Sequence, residues 1–238
     1  MNILAIGAHP DDIELGCGGL LLKAVKSSHN IFMYTLTQGG ASGDTKSRTQ
    51  ELIYSAKFIG AKKLWIDNLE DTKLYLNHEI INRIEFFINF CKADVVYTHS
   101  IGDTHHDHRA IAQATIEAGR YVPNILAYEI PVTKNFQPQV YHDISDVLDD
   151  KIRLTSLFES QKDKSFIKSN ALRGLAEYRA LQSRLNPSIT AVEAFEVYKI
   201  GFRDDFKLLD STNGGINTAD TKDTFTNKKD ILEYPLIK

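Results

Sequence analysis

Histidine and aspartate side chains concentrate in two short segments of the sequence. The first holds His9, Asp11 and Asp12, and the second, residues 99–108, holds four of the eight histidines of the chain. Imidazole nitrogens and carboxylate oxygens are common ligands of Zn²⁺, and three protein ligands with one open position are typical of a catalytic zinc site. Together the two segments predict a metal-dependent catalytic centre.

The spacing within each segment supports this interpretation. His9 and Asp12 are three residues apart where a strand is expected to turn into a helix, so both side chains can face one point. His105 and His108 have the same spacing. Adjacent carboxylates such as those of Asp11 and Asp12 repel each other unless a cation lies near. If one of them binds the metal, the other is free to act as a base on an activated water.

Simpler interpretations exist for these segments and for the glycines that follow the first one. His9 to Asp12 could form only a turn with an aspartate as helix N-cap, and the histidine cluster could be a solvated loop. Gly16, Gly18 and Gly19 suggest a dinucleotide-binding loop, but Leu21 stands where G-x-G-x-x-G requires its last glycine. We expect these glycines instead to let a helix pack closely beside the metal site.

Apolar runs alternate with helix-like segments over the first 130 or so residues. The predicted strands are residues 3–8, 31–37, 64–66, 94–98 and 125–130, and the predicted helices are 20–26, 48–58, 78–90 and 107–120. This order predicts an α/β fold, a Rossmann-like and mostly parallel sheet with helices on both faces. The two chemical segments follow strands 3–8 and 94–98, so we expect them to meet at the carboxyl edge of the sheet.

The second part of the chain has a different pattern. Helices are predicted at 147–158 and 166–181, followed by a strand-like element at 191–200, which gives a C-terminal helical and strand portion. We expect residues 1–209 to form a single domain. Residues 210–238 are polar and predict a C-terminal tail, although the apolar residues 231–237 could pack on the domain.

Charge and cysteine content exclude several classes of protein. The 238 residues include 28 Lys and Arg against 31 Asp and Glu, a net charge of −3, which argues against broad electrostatic binding to nucleic acid or anionic lipid. No apolar stretch approaches the roughly 18 residues of a membrane span, and the N-terminus lacks the basic region of a signal peptide. Cys17 and Cys91 form no disulfide framework, so we expect a cytoplasmic protein.

Two segments of the sequence are similar to signatures of a known family: residues 8–19, AHPDDIELGCGG, to its first signature, and residues 103–108, DTHHDH, to its second, D-x-H-x-D-H. Through these segments the sequence resembles the PIG-L/LmbE family of zinc-dependent N-acetylglucosaminyl deacetylases. Between them, residues 48–60 resemble the arginine-bearing helix of the family. Looser similarity extends the match in order over residues 2–203. One departure is His106, which stands where family members often carry proline.

The resemblance implies a role for each matching residue. The implied zinc ligands are His9, Asp12 and His108. Asp11 would be the general base that takes a proton from the attacking water, and His105 would stabilise the oxyanion. Asp107 would hydrogen-bond His105 and raise its pKa, and Arg48 would contact the substrate. Further candidates for lining the pocket are Asp71, Tyr128 and Glu129.

The implied function is removal of the acetyl group from a small-molecule N-acetylated amino sugar, a hydrolysis of a linear amide. Zn²⁺ is the expected cofactor, with Fe²⁺ or Co²⁺ also compatible with two histidines and an aspartate. Two alternatives are a non-catalytic metal- or carbohydrate-binding homologue and a sugar-nucleotide transferase. The presence of both Asp11 and His105 speaks against the first, and the abundance of histidine against the second. The physiological substrate, the roles of His99 and His106, and a possible homo-oligomer stay open.

Overall fold

A computed structural model describes residues 1–202 and 231–235 of the chain. The strands are β1 (Asn2–Gly7), β2 (Asn30–Thr37), β3 (Lys63–Leu69), β4 (Val95–His99), β5 (Asn124–Tyr128), β6 (Val140–Asp143), β7 (Val192–Lys199) and β8 (Leu232–Pro235). The helices are α1 (Asp12–Lys26), α2 (Thr45–Ile59), α3 (His78–Cys91), α4 (His106–Ala118), α5 (Leu148–Thr155) and α6 (Ser169–Ser183). Short 3₁₀ helices at Glu159–Gln161 and Ser165–Ile167 precede α6.

The eight strands form one sheet in the order β6-β7-β5-β4-β1-β2-β3-β8. Neighbours among β1 to β5 pair in parallel, whereas β7 and β8 pair antiparallel with β5 and β3. The prediction of an α/β fold with a mostly parallel sheet and a C-terminal helical and strand portion is confirmed.

Both faces of the sheet are buried under helices. Along β1, Ile3 and Ala5 point into a core that includes side chains of α1, α2, α5 and α6. Leu4 and Ile6 point into a second core with side chains of α3 and α4. Because successive strand residues face opposite sides, the continuous apolar run of β1 supplies both cores. Such a strand belongs in the middle of a sheet that is covered on both faces.

The strand order reverses between β1 and β4, which are adjacent although β2 and β3 separate them along the chain. In open α/β sheets, ligands bind where the order reverses, outside the carboxyl ends of the strands. The segment His9 to Asp12 follows β1, and the histidine cluster starts at the end of β4. The topology therefore brings the two chemical segments to this switch point.

Helix α1 begins at Asp12, eight residues before the start predicted from the sequence, and it contains all three glycines. The dinucleotide-loop alternative is therefore wrong. The helix is kinked at Cys17 (φ −138°), and its glycines allow close contacts with neighbouring elements. A Cβ atom on Gly16 would lie 2.1 Å from Cδ2 of Tyr128, and one on Gly18 would lie 2.9 Å from Cδ2 of Leu154.

The C-terminal part contains two strands that the sequence analysis did not predict as such. β6 pairs antiparallel with β7 at one edge of the sheet. At the other edge β8, from the range predicted as a tail, pairs antiparallel with residues 63–66 of β3. Residues 210–230 lie outside the described residues, so the proposed division into a domain and a tail stays a prediction.

Two further expectations concern the cysteines and membrane spans. Cys17 and Cys91 are both buried and free, as expected. Over the described ranges 1–202 and 231–235, no helix has the length and apolar character needed to cross a membrane.

Candidate metal centre and active site

Three side chains converge at the ends of β1 and β4. Nδ1 of His9 lies 3.2 Å from Nε2 of His108 and 3.3 Å from Oδ2 of Asp12. Nε2 of His108 lies 3.4 Å from Oδ1 of Asp12. All three residues are at least nine-tenths buried. The structure thus brings together the three residues that the resemblance implies as metal ligands, and we call them the triad.

The triad has the dimensions of a metal site. Two ligands of a tetrahedral zinc at about 2.0–2.1 Å lie roughly 3.3–3.4 Å apart. The two histidine nitrogens are 3.2 Å apart, and each lies 3.3 or 3.4 Å from one of the two Asp12 carboxylate oxygens. One carboxylate and two imidazoles also form a donor set that zinc takes. The residues present therefore fit a divalent metal ion with one position left open.

Each histidine of the triad contacts a carboxylate through its other ring nitrogen. Nδ1 of His108 lies 3.2 Å from Oδ1 of Asp103. Nε2 of His9 lies 3.1 Å from Oδ2 of Asp107 and 2.9 Å from Oδ1 of Asp71. Such partners fix the ring orientation and raise the basicity of a metal-binding histidine. The triad is therefore preorganised by a second layer of aspartates.

The electrostatics of the triad favour a positive charge. Burial lowers the pKa of His108, but Asp12 and Asp103 outweigh this effect and raise it to about 9. Burial likewise opposes protonation of His9, whose pKa is nevertheless raised by hydrogen bonds to Asp107, Asp12 and Asp71. The aspartates that draw protons to these rings would equally attract a metal cation.

Asp11 lies outside the triad and has a strained backbone. Its φ of 109° and ψ of −25° are rare for a residue with a side chain. It occupies the N-cap position of α1, but its side chain makes no capping hydrogen bond, so the simple N-cap alternative does not describe it. Burial raises the pKa of Asp11 to about 7, although the nearby Arg48 guanidinium opposes this shift.

Arg48, predicted as a substrate contact, is held firmly in the structure. Its side chain comes from α2 and the residue is 2% exposed. Nη1 donates to Gly39 O and to Ser42 Oγ, and Nη2 donates to Pro10 O at 2.6 Å. Nη2 also lies 3.3 Å from Oδ2 of Asp11. These contacts tie the loop after β2 to Asp11, and a direct contact of Arg48 with substrate stays a prediction.

His105 lies beside the triad, with its ring centroid 4.6 Å from that of His108 and 4.9 Å from that of His9. Its Nδ1 accepts the backbone N–H of Asp107 at 3.2 Å. Nδ1 is therefore unprotonated in the neutral ring, which leaves the proton on Nε2. That N–H is available as a hydrogen-bond donor.

Asp107 hydrogen-bonds His105 through its backbone N–H and not through its carboxylate, so the expected rise in the pKa of His105 is wrong for this structure. The Asp107 carboxylate accepts backbone N–H groups of Thr72 and Leu74 at 2.8 and 3.0 Å, in the loop after β3, and these bonds direct it towards His9. The pKa of His105 is lowered, by burial and by the neighbouring His108 and His9, and not raised as expected.

His106, the departure from the family signature, does not compete for the metal. It is exposed, and its Nε2 lies 2.7 Å from Thr72 O. No metal-binding group of side chains among the described residues includes it. Its ring contacts the loop after β3, which explains why a histidine there is compatible with the signature.

Asp103 and His99 have no role predicted from the sequence, and the structure places both in the site. Asp103 lies in the second signature, and its position before His105 was the available signal. His99 is the last residue of β4, and nothing in its spacing distinguishes it from a core residue. Of the residues predicted to line the pocket, Asp71 contacts His9 in the site. Glu129 instead forms an ion pair with Arg179 on α6.

The chain is similar to known proteins in sequence and in fold. Residues 4–119 match the family PIG-L, described as GlcNAc-PI de-N-acetylase. YaiS of Escherichia coli K12, described as an uncharacterized deacetylase, is 38% identical over 153 residues, which cover 61% of this chain and 83% of YaiS. The chain belongs to the PIG-L family.

This PIG-L chain is also similar to two proteins described as diacetylchitobiose deacetylases. Diacetylchitobiose deacetylase of Thermococcus kodakarensis is 27% identical over 187 residues, which cover 67% of this chain and 70% of that enzyme. The structure of N,N'-diacetylchitobiose deacetylase from Pyrococcus horikoshii superposes with a TM-score of 0.73 at 20% identity, covering 82% of each chain. At that identity, the superposition establishes a shared fold.

Proposed function

We propose that this PIG-L chain hydrolyses the N-acetyl group of an amino sugar, with a zinc ion bound by His9, Asp12 and His108. The observation that carries the proposal is the triad itself, in which the two histidine nitrogens lie 3.2 Å apart and each lies 3.3 or 3.4 Å from an Asp12 carboxylate oxygen. The names of the relatives support the acetyl group and the sugar, since YaiS is described as a deacetylase and the Thermococcus enzyme acts on diacetylchitobiose.

The chemistry divides between the metal and two side chains. A zinc ion held by His9, Asp12 and His108 would supply Lewis acidity for the acetyl carbonyl and for the attacking water at neutral pH. Asp11 accepts a proton from the attacking water as the C–O bond forms. It then delivers that proton to the amine nitrogen as the C–N bond breaks, and acetate and a free amine result. The strained backbone of Asp11 and the contact of its carboxylate with Arg48 support this role, because both restrict where the carboxylate points.

His105 is the proposed oxyanion donor. The proton on Nε2 gives the ring a donor directed away from its own backbone, and the ring lies beside both histidines of the triad. An N–H aimed at the developing oxyanion stabilises the transition state more than the ground state. In this proposal Asp107 orients the ring of His9. Arg48 holds the Asp11 carboxylate in place and also makes the predicted contact with the substrate.

The test is an assay for acetate with controlled metal content. The purified protein is incubated with N-acetylglucosamine, diacetylchitobiose and N-acetylglucosamine glycosides, and acetate and free amine are measured separately. We expect equal amounts of both products from at least one sugar, loss of activity after chelation, and recovery with Zn²⁺, Co²⁺ or Fe²⁺. If the metal-loaded protein binds these sugars and releases no acetate, the non-catalytic alternative replaces the proposal. Products that persist after complete removal of metal would refute the zinc mechanism.

A further inference from the structure

His99 contacts two residues of the triad, His108 and Asp12, although it carries none of the proposed roles. The residue is fully buried at the end of β4. Its ring stacks on that of His108, with the centroids 3.9 Å apart and the planes 13° apart. Its Nε2 lies 3.0 Å from the backbone nitrogen of Ala8, which precedes His9, and 3.2 Å from Oδ2 of Asp12.

The hydrogen bonds of His99 define where its proton lies. The backbone N–H of Ala8 donates to Nε2, so Nε2 carries a lone pair and the proton of the neutral ring is on Nδ1. Nδ1 is buried and has no hydrogen-bond partner among the described residues. A buried donor without a partner opposes folding. Phenylalanine would avoid this cost at Nδ1, but it would leave the buried N–H of Ala8 without its acceptor. Packing alone therefore does not account for a histidine at this position.

The contact between His99 and Asp12 needs a positive charge nearby. Nε2 of His99 and Oδ2 of Asp12 face each other at 3.2 Å, and both present lone pairs. The Tyr128 hydroxyl also approaches Nε2 at 3.2 Å, but it donates to Ile6 O at 2.8 Å. A cation bound by the triad, of which Asp12 is a member, would make this arrangement favourable.

His99 is unsuited to be a fourth ligand of the same ion. The group of potential metal-binding side chains that contains His99 includes Asp103 and His108 but not His9. Within that group Nδ1 of His108 already faces Oδ1 of Asp103 at 3.2 Å. The ring of His99 therefore acts on the ligands and not on the ion.

We propose that His99 is a positioning residue of the metal centre. Its ring holds the imidazole plane of His108 by stacking, while its Nε2 holds the turn at Ala8 and directs the Asp12 carboxylate towards the ion. The inference rests on the proposed function, because it assumes that the triad binds a metal.

Two variants distinguish the contribution of the His99 ring surface from that of its Nε2 atom. His99→Phe keeps the stacking surface and removes the acceptor, whereas His99→Gln keeps an acceptor near the position of Nε2 and removes the ring. Tyr97→Phe is the matched control, since Tyr97 is buried two residues earlier on β4 and packs against Phe195. The zinc Kd is measured by competition with a chromophoric chelator. The visible spectrum of the cobalt-loaded protein reports the ligand geometry, and circular dichroism of the metal-free protein reports the fold.

We expect His99→Phe to raise the zinc Kd by about 10–100-fold, the usual effect of removing a partner of a metal ligand. The cobalt spectrum should change, His99→Gln should recover part of the affinity, and Tyr97→Phe should bind zinc within twofold of the parent. A folded His99→Phe protein with the parent's zinc Kd and cobalt spectrum would overturn the inference. If His99→Phe fails to fold, the decision passes to His99→Gln, for which the parent's zinc Kd and cobalt spectrum would likewise overturn it.

The parent protein distinguishes this inference from the proposed function. Zinc binding without acetate release would contradict the proposed function and leave the inference on His99 intact. Acetate release with an unaffected zinc Kd in a folded His99→Phe protein would contradict the inference alone. A parent protein that binds no zinc would overturn both.

Discussion

The carboxylate of Asp107 meets the ring of His9, with Oδ2 of Asp107 3.1 Å from Nε2 of His9. Backbone N–H groups of Thr72 and Leu74 hold the carboxylate in this orientation. The second family signature thus supplies a partner to a metal ligand in the first. Two segments that are almost a hundred residues apart in the chain become one unit.

This relationship predicts the effect of removing the carboxylate. Asp107→Ala should raise the zinc Kd by about 10–100-fold, because His9 loses a partner that orients its ring. The measurement is chelator competition on the folded protein. Asp71→Ala is the comparison, since Asp71 contacts the same nitrogen at 2.9 Å, and a smaller but measurable loss is expected. An Asp107→Ala protein with the parent's zinc Kd would show that the contact does not support metal binding.

A second prediction concerns the different roles of Asp11 and Asp12. Asp11→Asn keeps the shape of the side chain and removes the proton acceptor, so zinc should bind normally while kcat falls by about 10²–10⁴-fold. Asp12→Asn should lose zinc and activity together. Metal content by elemental analysis and acetate release by enzymatic assay decide the matter. Loss of zinc in Asp11→Asn with normal zinc binding in Asp12→Asn would show that the two roles are exchanged. Unchanged acetate release in both variants would show that the active site lies elsewhere.

The strained backbone of Asp11 predicts a conflict between stability and activity. At a φ of 109°, glycine is free of the Cβ clash that any other residue meets. Asp11→Gly should therefore be more stable than Asp11→Ala by about 1 kcal/mol, after allowance for the greater freedom of glycine in the unfolded chain. Both variants lack the carboxylate, so the comparison isolates the backbone. Urea denaturation of the metal-free proteins measures the difference, and equal stabilities would contradict the strain.

Helix α1 packs closely against β5 at Gly16, whereas the surroundings of Gly174 in α6 are open. We therefore expect substitution by alanine to have opposite effects on stability at these two glycines. A Cβ on Gly16 would lie 2.1 Å from Tyr128, whereas a Cβ on Gly174 in α6 meets nothing within 4 Å. Gly16→Ala should destabilise the fold by about 1–3 kcal/mol through overpacking. Gly174→Ala should stabilise it by about 0.5–1 kcal/mol, since alanine favours a helix. Thermal denaturation of both variants tests the pair, and a harmless Gly16→Ala would contradict the close contact.

The edge strand β8 predicts that the C-terminal residues contribute to stability and not to metal binding. Removal of residues 231–238 would leave residues 63–66 of β3 without their antiparallel partner. We expect a lower Tm and an unchanged zinc Kd, because β8 lies at the sheet edge beyond β3 and the triad lies between β1 and β4. Trp65, the one tryptophan of the chain, pairs with Glu233 and gives a fluorescence signal for the change. An unchanged Tm would assign this strand no structural role.

The sequence alone determined the fold class and the position of the site. Alternating apolar and helical segments define a parallel sheet because a strand buried on both faces must be apolar along its whole length. The ends of β1 and β4 carry the histidines and aspartates, and connections in such sheets bring those ends to one edge. The triad could therefore be named from spacing and from the family signatures, without coordinates.

Only the tertiary structure decided which side chains act on the triad. Asp107 is adjacent to His108 in sequence, yet backbone donors from the loop after β3 direct it to His9. His99 looks like an ordinary residue at a strand end, and its stacking on His108 depends on how α4 lies against β4. The strain at Asp11 and the close approach of Gly16 to Tyr128 likewise depend on distant parts of the chain. Local spacing specifies which residues can reach a site, whereas the packing of separate elements determines the partner that each one meets.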